Sequence, residues 1–416
     1  MYYLLFTFYL VIGCISITKI PFIKKAGLGS RLVLMLFLIK IAAGVLIGWM
    51  SQHFYPQGND YWGLNDAGWK EYHLMLTDPE LFFKDIFVSR YENGYAGFFN
   101  SVGYWNDLKN TLIGKLLGVC NIFSGGKYYI NSLFFNFAGF FGPVALYRVF
   151  SKIYTQQKWP VIIGCFLLPS TLYFSSGIHK DLIVFTLLGI YSYALYFSVN
   201  DRLKVGYIIL LCVSLLALLF IRNFVVIAIL PASVAFIICS RIKWNPLIIF
   251  AAVYTIAFLL IGSLQLAKPS FQPLNIIIHK QQDFFELPVA SSQVETHVLE
   301  PTIQSFVRNA PQAIDHSFLQ PYIWETPTKF LFPLAIELCL YELCFLLMLV
   351  QYKKIISLPG SFLLFGVLIS FSMLIFTGYI VPNTGSIVRY RSLYLPFLIT
   401  PLLCSLFAKS SKKKSY

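Results

Sequence analysis

Ser175-Ser176-Gly177-Ile178-His179-Lys180-Asp181 is a polar turn between two long apolar runs, residues 161–174 before it and 182–199 after it. Two apolar runs joined by so short a turn read as a pair of membrane-crossing helices. A hairpin between spans needs only a couple of turn-forming residues, and Ser-Ser-Gly suffices. This turn adds an imidazole, an ammonium and a carboxylate in consecutive positions at the membrane edge. Charges beside hydrocarbon are costly, and they gather where something is bound or protonated. A solvated hairpin whose Lys180 snorkels to lipid headgroups is the plainer account of the same residues. The rest of the chain decides between the two.

The 416 residues are 57% hydrophobic and only 12% charged, with a mean hydropathy of +0.70. Soluble domains are nearer 45–50% apolar and about 25% charged, so the composition is that of a polytopic membrane protein. The net charge of +14 follows membrane topology and does not mark a nucleic-acid partner. The eight cysteines show no CxxC spacing, and all but Cys120 lie in or at the ends of apolar runs. They read as small hydrophobes, not as zinc ligands or a disulfide framework. The N-terminus lacks the basic region and small-residue cleavage site of a signal peptide, so its first apolar run is expected to remain as a span.

Apolar runs of span length fall at 2–18, 32–50, 128–147, 160–175, 182–199, 205–221, 224–239, 246–266, 330–350, 361–381 and 393–408. The expectation is one all-α polytopic domain, 1–416, with about eleven transmembrane helices. Lys and Arg gather in alternate connections: at 19–31, at 148–158, at 202–204, at 241–243, at Lys353 and Lys354, and in the tail from Lys409 to Lys414. Those six segments hold seventeen basic residues and a single acid, Asp201. They are expected to be cytoplasmic, which places the N-terminus outside and the C-terminus inside. The opposite face then holds two long loops, 51–127 and 267–329, and short turns at 175–181, 222–223 and 382–392, which together contain all six histidines and fifteen of the eighteen acids. Within the spans charge is sparse: Lys40, Glu337 and Glu342. Lys40 and Glu342 lie at similar depth and are expected to pair, or Glu342 to be protonated.

The first long loop opens with Asp60, Trp62, Asp66, Trp69, Tyr72 and His73. At helical spacing Trp62, Trp69, Tyr72 and Leu76 form one aromatic stripe, as in a helix lying in the headgroup layer. Asp60 and Asp66 are placed to start that helix, and two acids near a membrane surface leave room for catalysis as well as capping. Tyr91 to Tyr95 and Ser124 to Lys127 read as turns. In the second long loop, residues 303–318 are expected to form an interfacial helix, with Phe306, Ala310, Ile314 and Phe318 on one side and Pro311 as a kink. Trp324 and Glu325 stand just before the next span, a usual place for an aromatic anchor.

No GxxxxGK[ST] motif is present, so no Walker-type ATP site is expected, and HExxH and GxSxG are absent too. The informative charges lie in outer turns: His179, Lys180 and Asp181; Arg222; Arg389 and Arg391. Cations at the depth of a lipid phosphate suit a polyprenyl phosphate or pyrophosphate. Arg offers a planar fork to phosphate oxygens and Lys a point charge. His179, Lys180, Arg222, Arg389 and Arg391 are the candidate phosphate-binding residues. Asp60, Asp66 and Asp181 are the candidate catalytic carboxylates, any of which can deprotonate an acceptor hydroxyl. No cofactor is called for, though a divalent metal fits phosphate chemistry.

These stretches carry a resemblance. Asp66-Ala67 leading to Tyr72-His73 looks like the acidic loop motif of C-type (GT-C) membrane glycosyltransferases. PSTLYFSSGIHKD at 169–181, NTGSIVRYRSLYLP at 383–396 and PQAIDHSFLQPYIWE at 311–325 resemble bacterial polysaccharide-cluster membrane proteins, the O-antigen-polymerase-like group among them. The resemblance implies saccharide transfer from a polyprenyl-linked donor on the extracytoplasmic face of the bacterial inner membrane. It assigns acid or base duty to Asp66 and phosphate contacts to Lys180, Arg389 and Arg391. An N-terminus outside and eleven spans with two outer loops look more like a polymerase of polyprenyl-pyrophosphate-linked repeat units. Transfer of a single sugar from a polyprenyl-phosphate donor, or a flippase for lipid-linked oligosaccharides, are the other readings. The expected partners are the lipid-linked saccharide, membrane lipids and polysaccharide-assembly proteins.

Overall fold

A computed structural model describes residues 2–54, 59–87, 102–201, 203–267, 272–288, 291–325, 329–350 and 360–407. The turn expected at Tyr91 to Tyr95, the basic pair Lys353 and Lys354, and the tail from Lys409 lie outside them. The described residues are all-helical, without a strand. Apolar stretches of this length form helices because a backbone in hydrocarbon must satisfy its own N–H and C=O groups. Among the described residues eight helices are long and apolar enough to cross a membrane: Tyr2–Lys19, Ser30–Phe54, Tyr128–Ile153, Lys180–Asn200, Val205–Arg241, Pro246–Ser263, Phe332–Val350 and Gly360–Ile380. Lys158–Leu167 and Leu395–Leu406 are shorter apolar helices.

Two expected spans differ in detail. The run at 160–175 is not one helix. It ends at Leu168, whose φ of −64° and ψ of 119° are extended, and a six-residue helix Pro169–Phe174 follows. Proline disfavours helical backbone in the residue before it, so Pro169 sets this break. The 37-residue helix Val205–Arg241 is interrupted at Arg222, where φ is −154° and ψ is 79°.

The described chain falls into two compact units. The first comprises Met1–Val149, Leu172–Ser198 and Leu203–Asn223. Its core joins Ile47, Leu64, Leu117, Tyr128, Phe135, Ile178 and Leu182. Gly142 and Gly189 let two of its helices touch: a Cβ on Gly189 would stand 2.4 Å from the Gly142 carbonyl oxygen. Small residues at such crossings allow the close backbone approach on which helix packing in lipid relies.

Within this unit Asp60–Thr77 packs on Val102–Ser124. The buried side of Asp60–Thr77 is Tyr61, Leu64, Asn65, Gly68 and Glu71. The expected aromatic stripe is divided: Trp69 and Leu76 are exposed, whereas Trp62 packs inward on Tyr128. Only its outer part is free to face a headgroup layer. Between the two helices lies a buried ion cluster that the sequence did not reveal. Lys115 Nζ is 2.8 Å from Glu71 Oε2 and 2.6 Å from Asp85 Oδ1. The expected turn after Ser124 is present, with Gly125 and Gly126 both at positive φ.

The second unit comprises Phe150–Thr171, Val199–Arg202 and Phe224–Tyr416. Aromatic side chains fill one part of its core, where Phe362 meets Phe150, Phe236 and Phe365 edge-on or stacked. The expected loop helix forms as Ile303–Ile314, with Pro311 inside it. Phe306 packs on Tyr379 and Phe318 on Phe371, as the expected apolar side requires. Ala313, rather than Ile314, is the fully buried position. Glu337 closes the break at Leu168. Its carboxylate accepts the Ser170 backbone N–H at 3.0 Å and 3.1 Å, the Ser170 hydroxyl at 3.0 Å, and the Tyr341 hydroxyl.

Candidate functional site

The turn at 175–181 is held from several sides within the first unit. Gly177 has φ +76°, a backbone region that favours glycine, and this lets the chain reverse. Its N–H donates to Asn136 Oδ1 at 3.4 Å. The Lys40 ammonium donates to the Ser175 carbonyl at 2.5 Å and lies 3.4 Å and 3.5 Å from the Ser175 and Ser176 hydroxyls. The expected pairing of Lys40 with Glu342 is thereby corrected. Its charge is met by the carbonyl end of the preceding helix, where the backbone dipole is negative.

On this scaffold His179 and Asp181 are fully buried, and their side chains face each other. Asp181 Oδ2 is 3.1 Å from His179 Nδ1, and the Asp181 backbone N–H points at the same nitrogen from 3.1 Å. The nitrogen donates to the carboxylate when protonated and accepts from the N–H when not. The two contacts are therefore alternatives that differ by one proton position. On the other side of the ring, Nε2 lies 3.7 Å from Asp60 Oδ2. The Tyr61 ring packs against the imidazole with centroids 4.7 Å apart. Behind Asp181, Arg222 Nη2 is 2.9 Å from Oδ1. The non-helical backbone at Arg222 is where this side chain leaves its helix.

Asp60 is positioned by its neighbours. Asn59 takes the cap of the helix, accepting from the Tyr61 N–H at 3.1 Å and the Trp62 N–H at 3.4 Å. Trp62 Nε1 donates to the Gly48 carbonyl at 3.0 Å, and its ring stacks on Tyr128 at 4.3 Å. Asn59 rather than Asp60 thus supplies the cap, and the Asp60 carboxylate faces His179. Its side chain is 56% exposed, whereas those of His179 and Asp181 are 0% exposed. The result is a chain of carboxylate, imidazole and carboxylate that runs from water into the interior and ends on a guanidinium.

No family model, curated protein or solved structure matches this chain. Roles are accordingly argued from the geometry. The structure brings together Asp60, His179, Asp181 and Arg222, four of the eight residues expected to form the site. It does not bring in Asp66. Six residues after Asp60 is about 240° round a helix, and Asp66 is exposed there. Lys180 is half-buried at the start of Lys180–Asn200.

Two expected phosphate ligands are engaged otherwise. His179 is enclosed between carboxylates, which removes it from direct contact with a phosphate. In the second unit Arg391 is buried, and its Nη1 donates to the Ser317 carbonyl at 3.1 Å and the Gln320 carbonyl at 2.7 Å. Arg389, two residues earlier, is half-buried. Among the described residues, no three His, Cys, Asp or Glu side chains converge as a metal ion would need. Sequence reasoning missed Asn59, Tyr61 and Lys40 as supports of the site. Asn59 had a legible signal, since Asn before an acidic first turn is a strong N-cap.

The chemistry available to this chain of groups is proton transfer. Asp60 can take a proton from a group at the surface. An imidazolium at His179 would lie between two carboxylates, with Arg222 balancing the inner one. An imidazole fixed by a carboxylate behind it is the recurring way of orienting such a base.

Proposed function

We propose that this protein is a membrane glycosyltransferase that extends a polyprenyl-pyrophosphate-linked saccharide outside the cytoplasmic membrane, as a repeat-unit polymerase. In this reading the chain crosses a bacterial inner membrane about eleven times with its N-terminus outside, and the site lies on the outer face. The observation that carries it is the Asp60–His179–Asp181 chain, with Lys180 and Arg222 beside it. Asp60 accepts the proton of the acceptor hydroxyl, whose oxygen forms the new bond to the anomeric carbon. The old anomeric C–O bond breaks, and the polyprenyl pyrophosphate leaves with the electron pair. Lys180 and Arg222 neutralise the leaving phosphate, the electrostatic role that fixed charges perform best. Arg391, in the second unit, holds loop carbonyls and is given no phosphate role.

The test is polysaccharide chain length on gels, from cells holding each variant at matched membrane abundance. Asp60→Asn and His179→Gln are expected to leave short, single-unit products, because general-base catalysis is worth about 10²–10⁴ in rate. Asp66→Asn is expected to give the full ladder. Full-length ladders from both Asp60→Asn and His179→Gln overturn the assignment. Buried ionisable chains that reach water also serve proton-driven transporters, which keeps the flippase as a second reading. In that case Asp60→Asn would trap lipid-linked units on the cytoplasmic leaflet instead of leaving them unpolymerised outside.

A further inference from the structure

In the second unit the loop that follows Ile303–Ile314 carries a fixed aromatic pair. Trp324 is 76% exposed, and its ring stacks on Tyr322 with centroids 5.0 Å apart and planes 10° from parallel. Tyr322 does not swing freely. Its hydroxyl donates to Asp315 Oδ1 at 2.5 Å, while Gln320 Nε2 donates to Asp315 Oδ2 at 2.9 Å. The backbone beneath is pinned in turn by Arg391, which holds the Ser317 and Gln320 carbonyls. Among the described residues, one face of Trp324 is covered by Tyr322 and most of the side chain is exposed, on a base held by Asp315, Gln320 and Arg391.

The surroundings are acidic. The bond to Asp315, with further negative charge from Glu325 and Glu342, pushes the Tyr322 hydroxyl up to about 12. Glu325 is exposed and Glu342 half-buried. A tryptophan that anchors a loop in an anionic headgroup layer is usually accompanied by Lys or Arg, which that layer attracts. Asp315 on Tyr322 and Glu325 beside Trp324 are carboxylates, which oppose such a seat. They also oppose an anionic ligand. A flat, exposed aromatic surface with the exposed Glu325 carboxylate one residue along the chain suits a ligand with an apolar C–H face and hydroxyl donors at its edge. Ordering costs are low because the rings are already held.

We propose that Tyr322 and Trp324 form a stacking platform for an uncharged or amino-sugar-containing saccharide. The choice of a saccharide over other hydroxyl-rich ligands rests on the glycosyltransferase reading; the platform's geometry does not. It binds sugar without reacting with it. Trp324 is the contact surface, and Asp315 positions Tyr322.

The experiment uses the full chain in nanodiscs and saturation-transfer NMR with four probes. These are maltohexaose, chitohexaose, oligogalacturonate, and the saccharides released by mild acid from the lipid fraction of the producing cells. At least one neutral or amino-sugar probe is expected to bind. Trp324→Ala should weaken it by about tenfold, the loss of one stacking contact, and Trp324→Phe should restore part of it. Oligogalacturonate is expected not to bind. The proposal is overturned if no probe binds, if Trp324→Ala binds as well as the native chain, or if brominated lipid quenches the Trp324 contribution to fluorescence. Because Trp324 is exposed, Trp324→Ala leaves folding intact. Binding is read without turnover. Failure here, with Asp60→Asn still stalling chain growth, removes only the platform. Binding here with normal chain growth in Asp60→Asn removes only the transferase reading.

Discussion

Lys40 is an ammonium in the middle of Ser30–Phe54, a helix made for hydrocarbon. A lone charge at such depth costs about 2.5–3.5 kcal/mol on insertion scales, so a partner was required. The sequence offered only carboxylates as obvious candidates. The actual partner, the Ser175 carbonyl, was invisible because every residue carries one. Only the fold says which carbonyl is left over at a helix end. Lys40→Met therefore strands a buried carbonyl, and hydrogen bonds to charged groups are worth about 1.5–3 kcal/mol. Thermal unfolding of the purified protein should show that loss in Lys40→Met, with Lys40→Arg retaining part of the stability. Native stability in Lys40→Met would mean that the turn does not depend on this contact. Asp60 teaches the same lesson from the other side. Two acids in one helix start, Asp60 and Asp66, are equivalent in sequence. Helical phase and the neighbouring His179 separate them.

At the scale of elements, apolar length located the helices well, because hydrocarbon imposes helix on any stretch long enough. It failed where two short helices add up to one apolar run. Pro169 was the legible signal for the break at Leu168, and Glu337 was the part that could not be read. A buried glutamate in an apolar helix looks functional by default. Here it accepts the Ser170 N–H and hydroxyl that the broken helix leaves open. Glu337→Gln keeps an acceptor and should cost little. Glu337→Leu leaves the Ser170 N–H buried without its partner, a penalty of about 1–3 kcal/mol. The measurement is thermal unfolding at matched detergent and lipid. Equal losses in both variants would show that the charge, and not the hydrogen bonding, is what matters.

At the scale of the whole molecule, sidedness turns on Val205–Arg241. A continuous helix of its 37 residues would be about 55 Å long, well beyond a hydrocarbon core of about 30 Å. The interruption at Arg222 divides it into stretches of 17 residues, 205–221, and 19 residues, 223–241, each close to one crossing. Arg222 also turns its guanidinium to Asp181, in the turn that the distribution of basic residues puts outside. If the chain crosses twice here, the basic residues at the two far ends, Lys204 and Lys243, stand on the same side of the membrane. If it crosses once at a steep tilt, they stand on opposite sides, and every later connection changes face. Single cysteines on a background with the eight native cysteines replaced distinguish these cases with a membrane-impermeant maleimide on intact cells. Lys204→Cys and Lys243→Cys should both stay unlabelled until the membrane is permeabilised. Asn223→Cys, an exposed position beside Arg222, should label from outside. Labelling of only one of the two lysine positions from outside would exclude the double crossing. If Lys204 is the position that labels, the Asp60–His179–Asp181 turn, one span earlier, lies on the cytoplasmic side and the proposed site is overturned; labelling at Lys243 alone leaves that turn outside.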